Sequence, residues 1–347
     1  KGNNMKITKI LVALSFLFAV SNVNAGELTV TGNMEATYIT GGGTDNTTGN
    51  PIGMDKELKF AGSTELDNGI TVSVMQDTSD ALAFGNSQIA FGNIAVPSLG
   101  AITLYVGSDS DPIDAIDDIT PSAYEEANGS GSGTYVDIGQ AGGQMGLGLK
   151  ATLPYAGALN FKHYPKIDST KNADNASSGD ANGGVGDAYS VTLKTNLGDL
   201  SPSLDGASLT SGYGEREVST VSGTEVASNA TMALNYAYGP VKFGIQRKYN
   251  NLGSTTALGH DVRHNDVVYG LAYAVNDALS LSYNVYKGRK TNHGSATGNE
   301  PQETEAFNLG YTVGGMVIGI QHASTDNANY TLNDKDDSNT LGLSVAF

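Results

Sequence analysis

The chain of 347 residues has no cysteine and no tryptophan, and its 19 basic residues face 36 acidic ones, for a formal charge of −17. Without cysteine there is no disulfide framework and no thiolate metal site. The deficit of positive charge argues against nucleic acid as a partner, because binding phosphate needs a basic face. Charged residues make up only 16% of the chain and hydrophobic ones 39%. Its polarity therefore comes from Gly, Ser, Thr and Asn, a balance that points away from a helical enzyme. Beyond the N-terminal segment no apolar run reaches the roughly 18 residues of a transmembrane helix. Among membrane architectures that leaves a closed β-barrel, whose strands satisfy one another's backbone groups.

From Met5 the chain reads Met-Lys-Ile-Thr-Lys, is almost wholly apolar from Ile10 to Val20, and continues Ser-Asn-Val-Asn-Ala25. A basic start, a short apolar stretch and a Val-x-Ala site predict a cleaved secretory signal over 1–25, with Lys1 to Asn4 an upstream extension. Cleavage would remove three lysines and no acid, taking residues 26–347 from −17 to −20.

The remainder is a succession of short segments of period two. Leu28, Val30, Met34 and Tyr38 share one face, and Thr29, Thr31, Asn33, Glu35 and Thr37 the other. The same alternation recurs at 279–286, at 307–313 and at 340–347. Tight connectors carry hairpin residues, as in Asp67-Asn-Gly69, Gly239-Pro240 and Gly314-Gly315. Long ones are rich in Gly, Asn, Asp and Ser: 40–55, 108–137, 167–187, 219–229, 251–265, 292–303 and 326–338. Sixteen strands result, short turns at one rim and long loops at the other. Nine tyrosines on the apolar parity, among them Tyr38, Tyr213, Tyr269 and Tyr311, suit a membrane-interface girdle. The expected fold is all-β, a 16-stranded antiparallel transmembrane barrel over 26–347.

These features, with the alternating C-terminal Leu341-Gly-Leu-Ser-Val-Ala-Phe347, resemble the trimeric general porins of Gram-negative outer membranes. The likeness covers Gly26 to Phe347. It implies a water-filled channel for passive diffusion of small hydrophilic solutes and ions. It also implies a homotrimer in the outer membrane, in contact with its lipid and lipopolysaccharide, with Phe347 as the signal to the barrel-assembly machinery. Gln88-Ile-Ala-Phe-Gly, then Gly100-Ala-Ile-Thr-Leu-Tyr-Val-Gly107, then a long acidic connector, is similar to porin strands four and five leading into an in-folded third loop. Many relatives carry a basic residue after that last glycine; here it is Ser108.

The connector 108–137 holds Asp109, Asp111, Asp114, Asp117, Asp118, Glu125 and Glu126, with Pro112, Ile113, Ile116 and Ile119 between them. Apolar residues in a polar loop need a surface to pack on, and the barrel interior supplies one. Carboxylates lining a narrowed pore favour cations. On the lumen parity Lys59, Lys150, Lys162, Arg216 and Lys248 are the expected basic wall facing them, while Lys194 and Lys242 lie near short turns. No catalytic residue and no cofactor are expected, although the acidic runs 168–187 and 326–337 have oxygens suited to calcium. His260 and His264 stand four apart, but in a glycine-bearing loop rather than on a helix. No nucleophile elbow, Walker motif or zinc-protease motif is present. The alternatives are a substrate-selective porin, or a structural barrel whose acidic loops anchor calcium, lipopolysaccharide or a surface layer.

Overall fold

The computed structural model describes residues 26, 28–43, 49–78, 84–97, 99–109, 111–130, 132–139, 143–154, 156–165, 186–220, 223–254, 261–292 and 299–347. The expected signal segment, His260 and most of the acidic run 168–187 lie outside them. Sixteen strands follow in chain order. The first eight are β1 Leu28–Gly43, β2 Ile52–Glu65, β3 Thr71–Thr78, β4 Phe84–Val96, β5 Gly100–Gly107, β6 Gly146–Leu153, β7 Gly157–Tyr164 and β8 Ala188–Asn196. The others are β9 Ala207–Thr220, β10 Gly223–Tyr238, β11 Val241–Ser254, β12 Asp261–Ala274, β13 Leu279–Asn292, β14 Gln302–Val313, β15 Met316–Asp326 and β16 Lys335–Ala346.

Every strand pairs antiparallel with its sequence neighbours, and β1 pairs with β16, so the sheet is a closed barrel with no free edge. At the seam the Phe347 N–H donates to the Gly32 carbonyl at 3.0 Å, and the Gly32 N–H returns a bond to Phe347 at 2.9 Å. The Phe347 ring fills the outward space at Gly32, where a Cβ would come within 2.7 Å of it. Gly32 thus seats the C-terminal side chain, a local reason for its small size.

Alternation sorts the side chains. Leu28, Val30, Tyr38, Met54, Phe243, Leu271, Tyr283, Phe307 and Leu341 are exposed on the outer surface, as a lipid-facing wall requires. Inward positions are polar or small. The short turns 66–70, 97–99, 154–156, 239–240, 275–278 and 314–315 gather at one rim with the ten-residue link 197–206. Gly314 and Gly315 both have positive φ, +57° and +83°, the backbone of a two-residue hairpin turn.

The opposite rim differs from the sequence expectation. Strands there run further than the apolar alternation shows: β10 starts at Gly223, β12 at Asp261 and β16 at Lys335. Above the lipid band both faces of a strand meet polar surroundings, so alternation vanishes from the sequence while backbone pairing continues. The connector expected over 326–338 shrinks to 327–334, which we term L8, and folds inward. The connector after β5, 108–145, we term L3.

Candidate functional site

L3 turns into the barrel. The Ser108 N–H donates to the Ser87 carbonyl at 2.9 Å, and Gln88 Nε2 donates to Asp109 Oδ2 at 2.7 Å. The segment then follows the inner wall from strand to strand. Ser190 of β8 donates to Asp111. Gln246 of β11 accepts from the Ile119 N–H at 3.2 Å and donates to the Ile116 carbonyl at 2.8 Å. Asn284 of β13 donates to the Pro121 carbonyl at 3.0 Å, and Ser282 accepts from the Ala123 N–H at 2.9 Å. Tyr124 reaches furthest, its hydroxyl donating to Glu35 Oε1 of β1 at 2.6 Å. On the return arm Gln321 of β15 donates to the Glu125 and Glu126 carbonyls, and Asn250 of β11 to Asp137 O at 2.7 Å. Ala127 and Tyr135 pack with Val268, Tyr286, Ala306 and Ala323 in a small apolar cluster between loop and wall.

A trail of inward glycines makes room for this path. A Cβ at Gly212, Gly244, Gly270, Gly310, Gly319 or Gly342 would come under 3.0 Å from an atom of Ile116, Pro121, Ala123 or Tyr124. Gly244 faces Gly270 in register, and Gly310, Gly319 and Gly342 stand side by side on three strands. L8 closes over the return arm: Thr134 donates to Asn329, and the Tyr330 hydroxyl lies 3.2 Å from His264 Nδ1 and 3.3 Å from the Tyr286 hydroxyl. Asn329 is thus tied to L3, although the sequence reading makes 326–338 a long outer connector.

Burial raises the L3 carboxyls. Asp114 is pushed up to about 6 by burial and by Asp137, Asp111 and Asp118 beside it. Asp117 rises to about 7 because burial outweighs the pull of Lys248. Glu125 reaches about 7 through burial with Glu35 and Asp118 nearby, and Glu126 about 7 through burial and Asp118. Asp114, Asp117, Asp118, Asn128 and Asp137 line a cavity of about 390 Å³ between the two arms of the loop. Among the described residues no three His, Asp or Glu side chains are grouped to hold a metal ion.

No family profile matches the chain, and no curated protein matches it in sequence. Solved structures match over nearly its whole length. OmpT, an outer membrane protein of Vibrio cholerae, superposes with a TM-score of 0.66 at 9% identity, over 95% of this chain and 100% of its own. An anion-selective porin from Comamonas acidovorans gives 0.64 at 12%, over 93% and 100%. OmpF of Salmonella typhi, in complex with daunomycin, gives 0.61 at 11%, over 93% and 98%. The chain has the fold of the sixteen-stranded porins. At these identities the likeness speaks for the porin fold alone.

Within that porin fold the residues singled out from the sequence divide into three groups. Asp109, Asp111, Asp114, Asp117, Asp118, Glu125 and Glu126 all lie on the segment inside the barrel. Lys59 and Lys150 are exposed on the inner face, Lys150 with its Nζ 5.0 Å from the centre of the Tyr105 ring. Lys162 and Lys248 are not part of a wall facing the loop: they are buried beneath it. Lys162 donates to the Asp109 carbonyl, and Lys248 sits 2.9 Å from Asp117 and 3.4 Å from Asp118. Instead of facing the loop across a gap, Lys248 meets the Asp117 and Asp118 carboxylates directly and Lys162 the Asp109 backbone carbonyl. Arg216 is half-buried on β9, in register with Ala188 and Ala227.

Sequence reasoning passed over Tyr124 and Asp137 as members of the site, and set Glu35 on the lumen parity without its partner on the loop. The inward glycines carried the available signal. Six of them on the lumen parity of β9, β11, β12, β14, β15 and β16 mark where a second backbone passes, since glycine in a strand interior often marks a close backbone approach.

Proposed function

We propose that the protein is an outer-membrane porin, a water-filled channel for passive diffusion of small hydrophilic solutes and ions, with a preference for cations. The observation that carries this reading is the position of L3: it follows the inner face from β7 round to β16 and leaves the inward residues of β1 and β2 unburied. Solutes would pass between a loop bearing Asp114, Asp118 and Asp137 and a wall bearing Glu35, Glu57, Lys59 and Lys150. In this gap carboxylates outnumber cations, and carboxylate-lined pores favour cations. Homotrimer assembly and recognition of Phe347 by the assembly machinery extend the same reading; the outer-surface exposure of the Phe347 ring supports the second.

Planar-bilayer recording tests the proposal. The purified barrel should give discrete conductance steps, and a potassium chloride gradient should give a cation-signed reversal potential that shrinks as salt rises. The Debye length falls from about 10 Å at 0.1 M to about 3 Å at 1 M. Replacing Asp114, Asp118 and Asp137 together by Asn should shrink the potential further without abolishing conductance. Absence of conductance overturns the channel; an anion-signed potential at low salt overturns the selectivity alone.

A further inference from the structure

Three lysines point into the barrel from neighbouring strands, Lys150 on β6, Lys162 on β7 and Lys194 on β8, and only Lys162 is buried. Gly148, Lys162 and Ser190 stand in register under the start of L3, where Lys162 donates to the Asp109 carbonyl and Ser190 to Asp111. Two residues nearer the short turns, the next inward row reads Thr103, Lys150, Asn160 and Thr192, and the one after it Thr152, Ala158 and Lys194. These two rows line a cavity of about 290 Å³. Gly212 continues the row beyond Thr192, and a Cβ there would meet Ile116, Ile113 and Thr192 at 2.7, 3.2 and 3.3 Å. L3 therefore closes the cavity at its Thr192 end.

The cavity presents donors and positive charge, and no carboxylate stands in its lining. Among the described residues neither Lys150 nor Lys194 has a carboxylate within ion-pairing distance. The L3 acids in the row above, Asp109 and Asp111, are bonded to Gln88 and Ser190. Lys150 Nζ lies 5.0 Å from the centre of the Tyr105 ring, a contact through the ring face that leaves ammonium protons over for a ligand. The Tyr105 hydroxyl donates to Asn160 Oδ1 at 2.9 Å. What Asn160 has left is its NH2 group, which only donates. Gly148 faces Tyr105 in register, and a Cβ there would overlap the ring, so the ring position that orients Asn160 is built into the wall. Lys150 and Lys194 stand two strands and two residues apart, about 12 Å between backbones. Their flexible stems let both ammonium groups close on one anion in that gap.

We infer that Lys150, Asn160 and Lys194, with the hydroxyls of Thr103, Thr152 and Thr192, form a site for a phosphoryl dianion, either free phosphate or the phosphate end of a small solute. A phosphoryl group brings at least three acceptor oxygens and close to two negative charges. That matches two ammonium groups and a set of neutral donors, and ionised donors make the stronger bonds. A carboxylate brings two oxygens and one charge, and leaves half of the site unanswered. The site goes beyond the channel reading above: it sets a local anion pocket beside a gap in which carboxylates outnumber cations, and its occupancy does not depend on conduction.

Phosphorus NMR of the solubilised barrel in a phosphate-free detergent, at about pH 8 where a phosphoryl group carries close to two charges, tests the site. Inorganic phosphate should show saturable line broadening that acetate at equal concentration does not reverse. K150Q and K194Q should each weaken binding roughly tenfold, the usual weight of a hydrogen bond to a charged group. N160D sets a carboxylate against the anion and should abolish binding. K242Q removes another lysine near the short-turn rim and should leave binding unchanged, which separates a local site from an effect of net charge. If the glutamine variants do not form a heat-modifiable barrel, K150R and K194R keep the charge and should keep binding, while N160D still loses it. Glucose 6-phosphate bound as well as phosphate assigns the pocket to phosphorylated solutes, and phosphate bound alone assigns it to the free ion; either supports the site. Equal binding by wild type and the lysine-to-glutamine variants, a loss in K242Q as large as in K150Q, binding retained in N160D, or displacement by acetate overturns it. Conductance is recorded in planar bilayers on the same samples: a barrel that binds phosphate without conducting refutes the channel and keeps the site, and a conducting barrel without saturable broadening does the reverse.

Discussion

The two halves of the barrel interior are built differently. On β10 to β16 the outward residues are exposed and the inward ones buried almost position by position: Gln246, Lys248 and Asn250 on β11, Asn284 and Tyr286 on β13, Gln302, Thr304, Ala306 and Asn308 on β14. On β1 and β2 no inward residue of the described positions is buried. The difference is L3, which covers one wall and leaves the other to water. A barrel of this size has too wide a lumen for its own inward side chains to fill, so one wall acquires a core only where a loop supplies the second layer. The covered wall holds glycines, amides and two buried lysines because it must accept a second backbone and satisfy its carbonyls. The open wall keeps charges that stay hydrated.

The sharpest break in this contrast is expected at Lys248. Replacing it by Met leaves Asp117 buried without its cation, a loss of about 3–5 kcal/mol for a broken buried pair. Labelling of a cysteine placed at Ala123 by a bulky maleimide should speed up at least about a hundredfold, since each 1.4 kcal/mol is a factor of ten. An unchanged rate would mean that the pair does not hold the loop.

A smaller loss is expected from crowding the glycine trail. Gly319→Val or Gly342→Val drives a side chain into Tyr124 and should weaken loop docking by about 1–3 kcal/mol, the usual range for overpacking. Single-channel conductance should then rise. Gly92→Ala on β4, where a Cβ would meet Thr103 Oγ1 at an ordinary 3.5 Å, should leave conductance as it is.

Acidity acts on the same contrast more gently. Asp114, Asp117, Glu125 and Glu126 bind protons more tightly inside the barrel than in the unfolded chain, because of burial. The stability they add to docking is therefore complete below about pH 4 and lost as pH rises through about 6 to 7. Glu35, Asp118, Asp137 and Lys248 surround them and set how far each moves. Cation preference should grow between about pH 5 and pH 8 as these groups ionise, with labelling at Ala123 becoming faster. A reversal potential independent of pH over that window would contradict the buried state of the four carboxyls.

The least expected change in stability comes from the open wall. Lys59 is exposed on β2, so Lys59→Gln should stay within about 0.5 kcal/mol. It should still make the reversal potential more cationic, because it removes one of the few positive charges facing the gap. A stability loss as large as that of the Lys248 variant would mean that the two walls are not distinct.

Strand number, the parity of every strand and the sides on which turns and loops fall were legible in the sequence, because a lipid-facing wall imposes a strict apolar period on alternate residues. The seven L3 acids were legible as one acidic, partly apolar segment, and its family likeness told that it folds inward. Strand ends at the loop rim were not legible, since pairing there continues after the solvent contrast that creates the period is gone. Nor could alternation separate Lys59 and Lys150, which face water, from Lys162 and Lys248, which lie under the loop: all four occupy the same parity, and only the path of L3 divides them. Tyr124 meeting Glu35 across 89 positions of sequence, and Phe347 closing on Gly32 across the whole barrel, are likewise decided by the closed sheet, which brings together residues that no local pattern relates.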